Sequence, residues 1–293
     1  MTTTLSRPAR CRRSPRFYRW QRRAKAAGMI AAGLLVLVYT LFPYYWALVS
    51  SFRSGVALFS PSLVPSFDLT HYKALLADPV FTGSIVNSLI VAGSTTAISL
   101  ALATMAAYAL GRLSFAGKAA MLLAILMVSI FPQIAVMSGM FELVRWLGLY
   151  NRIGALILAY LIFTVPFTVW VLTSFMREFP RELEEAAIMD GCSHWRILTR
   201  ILLPLMGPAL ASTGLLSFIL AWNEFLFALT FILSDENRTV PVAIGLISGN
   251  SRYEYPFGPI MAASIIVTLP LIVLVLIFQR RIVTGLTAGA VKG

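Results

Sequence analysis

From Arg181 to Pro204 the chain reads RELEEAAIMDGCSHWRILTRILLP, a polar, patterned stretch between two long apolar runs. Arg181 through Asp190 is rich in strong helix formers, and Pro180 suits a first helical turn. The acids Glu182, Glu184 and Glu185 crowd the N-terminal end, where the helix dipole favours negative charge. Gly191 supplies a cap able to take φ > 0. Ser193 can cap a second short helix, with Trp195, Leu198 and Leu202 on one face and Arg196 and Arg200 on another. Pro204 ends the unit. The expectation is a helix, a glycine turn and a helix that protrude from whatever the flanking segments form. Ala186 and Ala187 would give a small surface that a partner's groove can approach closely.

The flanking runs are membrane-like. Of 293 residues 58% are hydrophobic and only 12% are charged, whereas a soluble domain carries about 25% charged residues. Mean hydropathy is +0.81. So few charges cannot wet the surface of a 32.2 kDa globule, which excludes a soluble enzyme and a disordered tail. A spanning helix needs about 20 apolar residues. Six stretches qualify, over 26–49, 85–110, 119–141, 153–175, 208–233 and 259–278, and Pro43, Pro132, Pro166 and Pro270 can kink them. The fold class is therefore all-α, a polytopic membrane protein with six transmembrane helices. It divides into a basic tail (1–25), a first span (26–50), an outer loop (51–84), a core with five spans and the patterned loop at 177–204 (85–280), and a tail (281–293).

Charge placement sets orientation. With the N-terminus inside, the inner segments carry nine, two, four and three of the 24 Lys and Arg residues, and the outer segments carry Arg53, Lys73, Arg145, Arg152, Arg238 and Arg252. Both termini are thus expected on the cytoplasmic side of a bacterial-type cell membrane. The nine N-terminal cations, Arg7 to Lys25, suit topology and anionic membrane lipid. A net charge of +12 without a folded basic module gives no case for nucleic acid. Cys11 and Cys192 have no metal-ligand spacing, and no disulfide is expected on the cytoplasmic side. The apolar stretch after Lys25 is too long for the h-region of a cleavable signal peptide.

Catalytic signatures are absent. His71 and His194 have no nucleophile placed beside them. The nearest approach to a phosphate loop, Gly111 to Lys118, has five residues between its glycines and Ala119 where a hydroxyl is needed. No catalytic residue, cofactor or metal is expected, and the chain should not hydrolyse ATP itself.

The spacing Glu185-Ala186-Ala187, three residues, Gly191, nine residues, Ile201-x-Leu203-Pro204 resembles the EAA loop of membrane permease subunits of binding-protein-dependent ABC importers. The resemblance covers nearly the whole chain: the six spans, Trp222-Asn223-Glu224-Phe225, Thr239-Val-Pro-Val242 and the tail from Gln279 to Gly293. The last three are similar to the second permease of maltose/trehalose-type systems. The resemblance implies the type I importer fold and alternating access. It implies a second homologous permease as heterodimer partner, two cytoplasmic ATPase subunits and an extracytoplasmic sugar-binding protein. It also implies that Glu185, Ala186, Ala187, Asp190, Gly191, Ile201, Leu203 and Pro204 form the ATPase-coupling element. Polyol and glycerol-phosphate substrates stay open. An ion-gradient transporter is the rival, but Glu224 is its one available intramembrane acid and no repeated broken helices are evident.

Glu224 in the fifth run carries a cost of at least ~2.5–3.5 kcal/mol if charged in a span. It reads either as a pathway residue or as an interhelical packing group, and consecutive neighbours among Trp222, Asn223, Glu224 and Phe225 cannot all face one pore. Ser99, Ala103, Ala107 and Gly111, at four-residue spacing, read as a close-contact seam, either with a partner permease or within the chain. The cluster from Phe42 to Trp46 can stack on a sugar but is better suited to anchoring or packing. Asn237-Arg-Thr239 is an accidental sequon.

Overall fold

The computed structural model describes residues 15–55, 64, 67–247 and 256–288. The cations Arg7, Arg10, Arg12 and Arg13, together with Cys11, Pro61, Pro65, Arg252, Tyr253, Glu254, Tyr255 and Lys292, lie outside the described residues. Helix α1 spans Pro15–Ser51, α2 Thr70–Ala77, α3 Pro79–Arg112, α4 Lys118–Ile130, α5 Gln133–Trp146 and α6 Ile153–Glu178. Then follow α7 (Glu182–Met189), α8 (His194–Ile197), a π turn (Leu198–Leu202), α9 (Leu203–Leu205), α10 (Gly207–Trp222), α11 (Leu226–Phe231), α12 (Val240–Gly245) and α13 (Phe257–Ala288).

Among the described residues, four helices are long and apolar enough to cross a membrane: the Ala24–Ser51 part of α1, all of α3, all of α6, and the Phe257–Gln279 part of α13. The remaining two expected spans are not straight. α4 and α5 meet at 95° across Phe131 and Pro132. Proline has no N–H to continue the helix and pushes the residue before it into extended backbone. The run over 208–233 is also broken, because α10 stops at Trp222 and α11 starts at Leu226. Its other end bends by 79° where the His194–Leu205 segment meets α10. The second span begins earlier than its apolar run, at Pro79, where Asp78 caps the helix by accepting from the Val80 N–H at 2.9 Å. The loop over 51–84 holds α2.

Two buried clusters stack along α3 and α6. At the α2/α12 end, Phe81, Val91, Leu156, Tyr160, Trp222, Phe227, Phe231 and Val240 pack together. At the α7 end, Ala103, Ala107, Tyr108, Leu172, Met176, Ala187, Ile197 and Leu202 do so. α3 and α6 form the most extensive helix pair, α10 packs on both and on α13, and α1 leans on α13. Many apolar side chains of α1 and α13 stay exposed, Leu35 and Ile277 among them. That exposure costs nothing in hydrocarbon, where helices associate through close packing rather than water exclusion.

The small-residue seam therefore lies within the chain. Ser99, Ala103 and Ala107 are fully buried, the Ser99 hydroxyl donates to Thr168 Oγ1 at 3.1 Å, and Thr168 in turn pairs with the Ser217 hydroxyl at 2.9 Å. At Gly111 an added Cβ would stand 3.1 Å from both Cβ and Cγ of Met176. Gly111→Leu is expected to force α3 from α6 and to destabilise the chain by about 1–3 kcal/mol. Thermal unfolding in detergent measures it, and an unchanged midpoint would show that the seam has slack.

Candidate functional site

The stretch from Arg181 to Leu205 folds as a projecting helix–turn–helix seated on the ends of α3 and α6. In α7 the acids Glu182, Glu184 and Glu185 occupy the first turn. Pro180 lies ahead of the helix rather than in its first turn, and Arg181 takes the cap position. Gly191 has φ +77°. The Gly191 N–H donates to Ile188 O and the Cys192 N–H to Ala187 O, both at 2.9 Å. This pair of bonds is a Schellman stop, which satisfies the last carbonyls of α7 and turns the chain into α8.

The two alanines part company. Ala187 is 5% exposed and packs with Ala103, Ala107 and Ile197, so it seats the unit and offers nothing to a partner. Ala186 is exposed, and so are Leu183, Ile188, Met189 and Trp195, with Met189 at 88%. Trp195 also departs from the expected face, since Leu198 and Leu202 are buried while it points out. Helical spacing explains the difference only after α7 is docked: Ala187 and Ala186 are 100° apart on the helix, and one must face in. Asp190 and Gly191 are exposed at the turn, Ile201 is half-buried, and Leu203 and Pro204 are exposed. Pro204 does not end the unit. It sits inside α9, and the break comes at Met206.

Arg112 and Tyr108 were not singled out in the sequence. Arg112, the last residue of α3, forms an ion pair with Glu184. Its two terminal nitrogens donate to Phe179 O at 2.8 Å and Pro180 O at 3.1 Å. The Tyr108 hydroxyl and His194 Nδ1 are 2.9 Å apart. In sequence Arg112 counted only as an inner positive charge, and His194 only as a histidine without a nucleophile.

The break between α10 and α11 places the second group of residues. Trp222 and Glu224 are buried, Asn223 and Phe225 exposed. Glu224 Oε1 accepts from the Phe227 N–H at 2.9 Å and Oε2 from the Ala228 N–H at 3.2 Å. Non-helical backbone at membrane depth must find partners inside the protein. Glu224 supplies them at the N-terminal end of α11, where negative charge is favoured. The Asn223 amide donates to Ile219 O at 2.8 Å and so closes the end of α10.

Hydrogen bonds also tie the opposite end. Asn151, at φ +60°, accepts through Oδ1 from the N–H groups of Leu233 and Ser234, both at 2.9 Å. Asn237 donates to Asn151 O at 2.8 Å, so the sequon asparagine is a structural tie. Asn87 donates to Glu236 O and Arg238 O. Nearby, Phe42 and Trp46 stack at 6.3 Å, and the buried Arg53 guanidinium lies 5.6 Å from the Trp46 ring. Trp46 thus packs against the chain itself, while Phe42, Tyr44 and Tyr45 stay exposed.

Long apolar helices, two broken spans and one projecting helix–turn–helix define a multi-pass membrane permease subunit. Residues 99–287 match the family described as the binding-protein-dependent transport system inner membrane component. The chain belongs to this family. It is 41% identical over 268 residues to the trehalose/maltose transport system permease protein MalG of Thermococcus litoralis, covering 90% of this chain and 96% of that one. It is 40% identical to the trehalose transport system permease protein SugB of Mycobacterium tuberculosis, covering 88% and 95%. In fold it is similar to a chain of a bacterial ABC transporter involved in import of the acidic polysaccharide alginate, with a TM-score of 0.75 at 24% identity over 88% of this chain and 97% of that one.

Proposed function

We propose that the chain is the pore-forming permease subunit of an ATP-driven importer for a trehalose- or maltose-like di- or oligosaccharide. It works by alternating access, with its termini on the cytoplasmic side. A second homologous permease completes the pore. One of two ATPase subunits docks on the α7–Gly191–α8 unit, the other serves the second permease, and a sugar-binding protein delivers substrate at the α2/α12 end. The observation that carries this reading is the projecting unit itself. Its EAA spacing is intact, its turn is closed by a Schellman stop at Gly191, and Ala186, Ile188 and Met189 face outward. Glu185 belongs to the same exposed helix, while Ala187 serves by seating it. The sugar class rests on the similarity to trehalose and maltose permeases.

The test is reconstitution of the permease pair, ATPase and binding protein in proteoliposomes, with radiolabelled trehalose and maltose outside. Uptake is expected only with ATP inside, and ATP hydrolysis should rise when loaded binding protein is added. Uptake driven by an ion gradient without ATP would overturn the reading. Robust uptake of a polyol or glycerol phosphate, with neither disaccharide carried, would replace the sugar class and leave the coupling scheme standing.

A further inference from the structure

We infer that Arg112 is a positioning residue that clamps the coupling unit to α3 and α6, so that a displacement of α7 moves these two helices as one body. The inference rests on the reading of α7 and α8 as the place where the ATPase docks.

The clamp is built where three helices end. α3 finishes at Arg112, α6 finishes at Glu178, and α7 starts at Glu182. The Arg112 side chain is only 3% exposed. Each of its three nitrogens is engaged: Nε donates to the Glu184 carboxylate, and the terminal nitrogens donate to the carbonyls of Phe179 and Pro180. Those carbonyls belong to the link between α6 and α7. One guanidinium therefore joins the end of one helix, the outgoing link of a second and the first turn of a third. Arginine can do this because its donors lie in a rigid plane, whereas the three donors of a lysine radiate from one point.

Two further contacts remove slack. Tyr108 lies one turn before Arg112 on α3 and reaches His194, the first residue of α8, so both helices of the unit are tied to α3. Gly111 brings α3 against Met176 of α6 beside the clamp. The far side of the unit differs. There the chain leaves through the π turn Leu198–Leu202 and a 79° bend before α10. π turns lengthen the hydrogen-bond ring locally and are frequent at functional sites. The side-chain hydrogen bonds that tie the unit therefore run to α3 and to the α6–α7 link, while the route to α10 is through the backbone bend.

The experiment uses the whole reconstituted complex and reads trehalose imported per ATP hydrolysed. Arg112→Gln is expected to assemble and to hydrolyse ATP near the wild-type basal rate, with the import ratio lowered about tenfold. Arg112→Lys, which keeps one charged partner but not the fork, should lose roughly threefold. The charge swap Arg112→Glu with Glu184→Arg should recover part of the ratio lost by either single change, and in the single variants the ratio should fall while assembly and basal hydrolysis hold, which a merely local stability defect would not do. If Arg112→Gln fails to assemble, Arg112→Lys and Glu184→Gln carry the same comparison. An unchanged ratio in Arg112→Gln, or a parallel fall of assembly, hydrolysis and uptake with no recovery in the swap, would overturn the clamp. A Met189→Cys cross-link to the ATPase separates the two readings. If it forms while the ratio is unchanged, only the clamp fails. If it forms in no nucleotide state, the docking reading fails and takes the clamp with it.

Discussion

Glu224→Ala is expected to destabilise the chain by about 2–4 kcal/mol, with Glu224→Gln losing roughly half as much. The carboxylate is 6% exposed and accepts from two backbone N–H groups, those of Phe227 and Ala228. Removing it leaves two buried donors without partners, and each costs about 1–3 kcal/mol. The glutamine amide offers one acceptor in place of two, so one donor is orphaned. Thermal unfolding in detergent gives the stability order, and uptake by the reconstituted complex gives the functional one. If both fall together along the series, Glu224 holds the broken helix together. If Glu224→Gln keeps its stability yet loses uptake, the charge itself belongs to the substrate pathway. A stable Glu224→Ala would remove the capping account.

How much of this was legible in the sequence depends on the range of the interaction. The helix–Gly191–helix unit was readable because helix propensity, acids in a first turn and a C-terminal glycine act over a few residues. The long apolar runs were readable because membrane thickness sets their length. Whether Ala186 or Ala187 faced outward was not readable, since that follows from docking against Ala103 and Ala107, some eighty residues away. The same holds for Arg112, whose partners Phe179, Pro180 and Glu184 are brought to it only by the packing of α3 on α6. The break after Trp222 carries no proline or glycine. It becomes intelligible only once Glu224 is seen taking the place of the missing carbonyls. At Pro132, by contrast, the residue type announced the bend and only the 95° angle was new.

Met189→Lys and Ala187→Leu, two residues apart on one short helix, should fail in opposite ways. Met189 is 88% exposed, so its replacement should shift chain stability by no more than about 0.5 kcal/mol. Lysine is the right choice because a cation near the C-terminal end of α7 suits the helix dipole, and the helix itself is preserved. If an apolar groove of the ATPase receives this tip, a buried unpaired ammonium should cost at least about 2 kcal/mol of association, the scale of an interface hot spot. That is roughly a thirtyfold loss of bound ATPase, with uptake falling alongside. Ala187→Leu has the reverse signature. Ala187 is buried in the cluster that holds Ala103, Ala107 and Ile197, so three added carbon atoms overpack the seat and destabilise the permease by about 1–3 kcal/mol. Co-purified ATPase, measured against the thermal midpoint of each permease, separates the two. A Met189→Lys chain that retains its full complement of ATPase would show that the outward face of α7 is not where the motor is held.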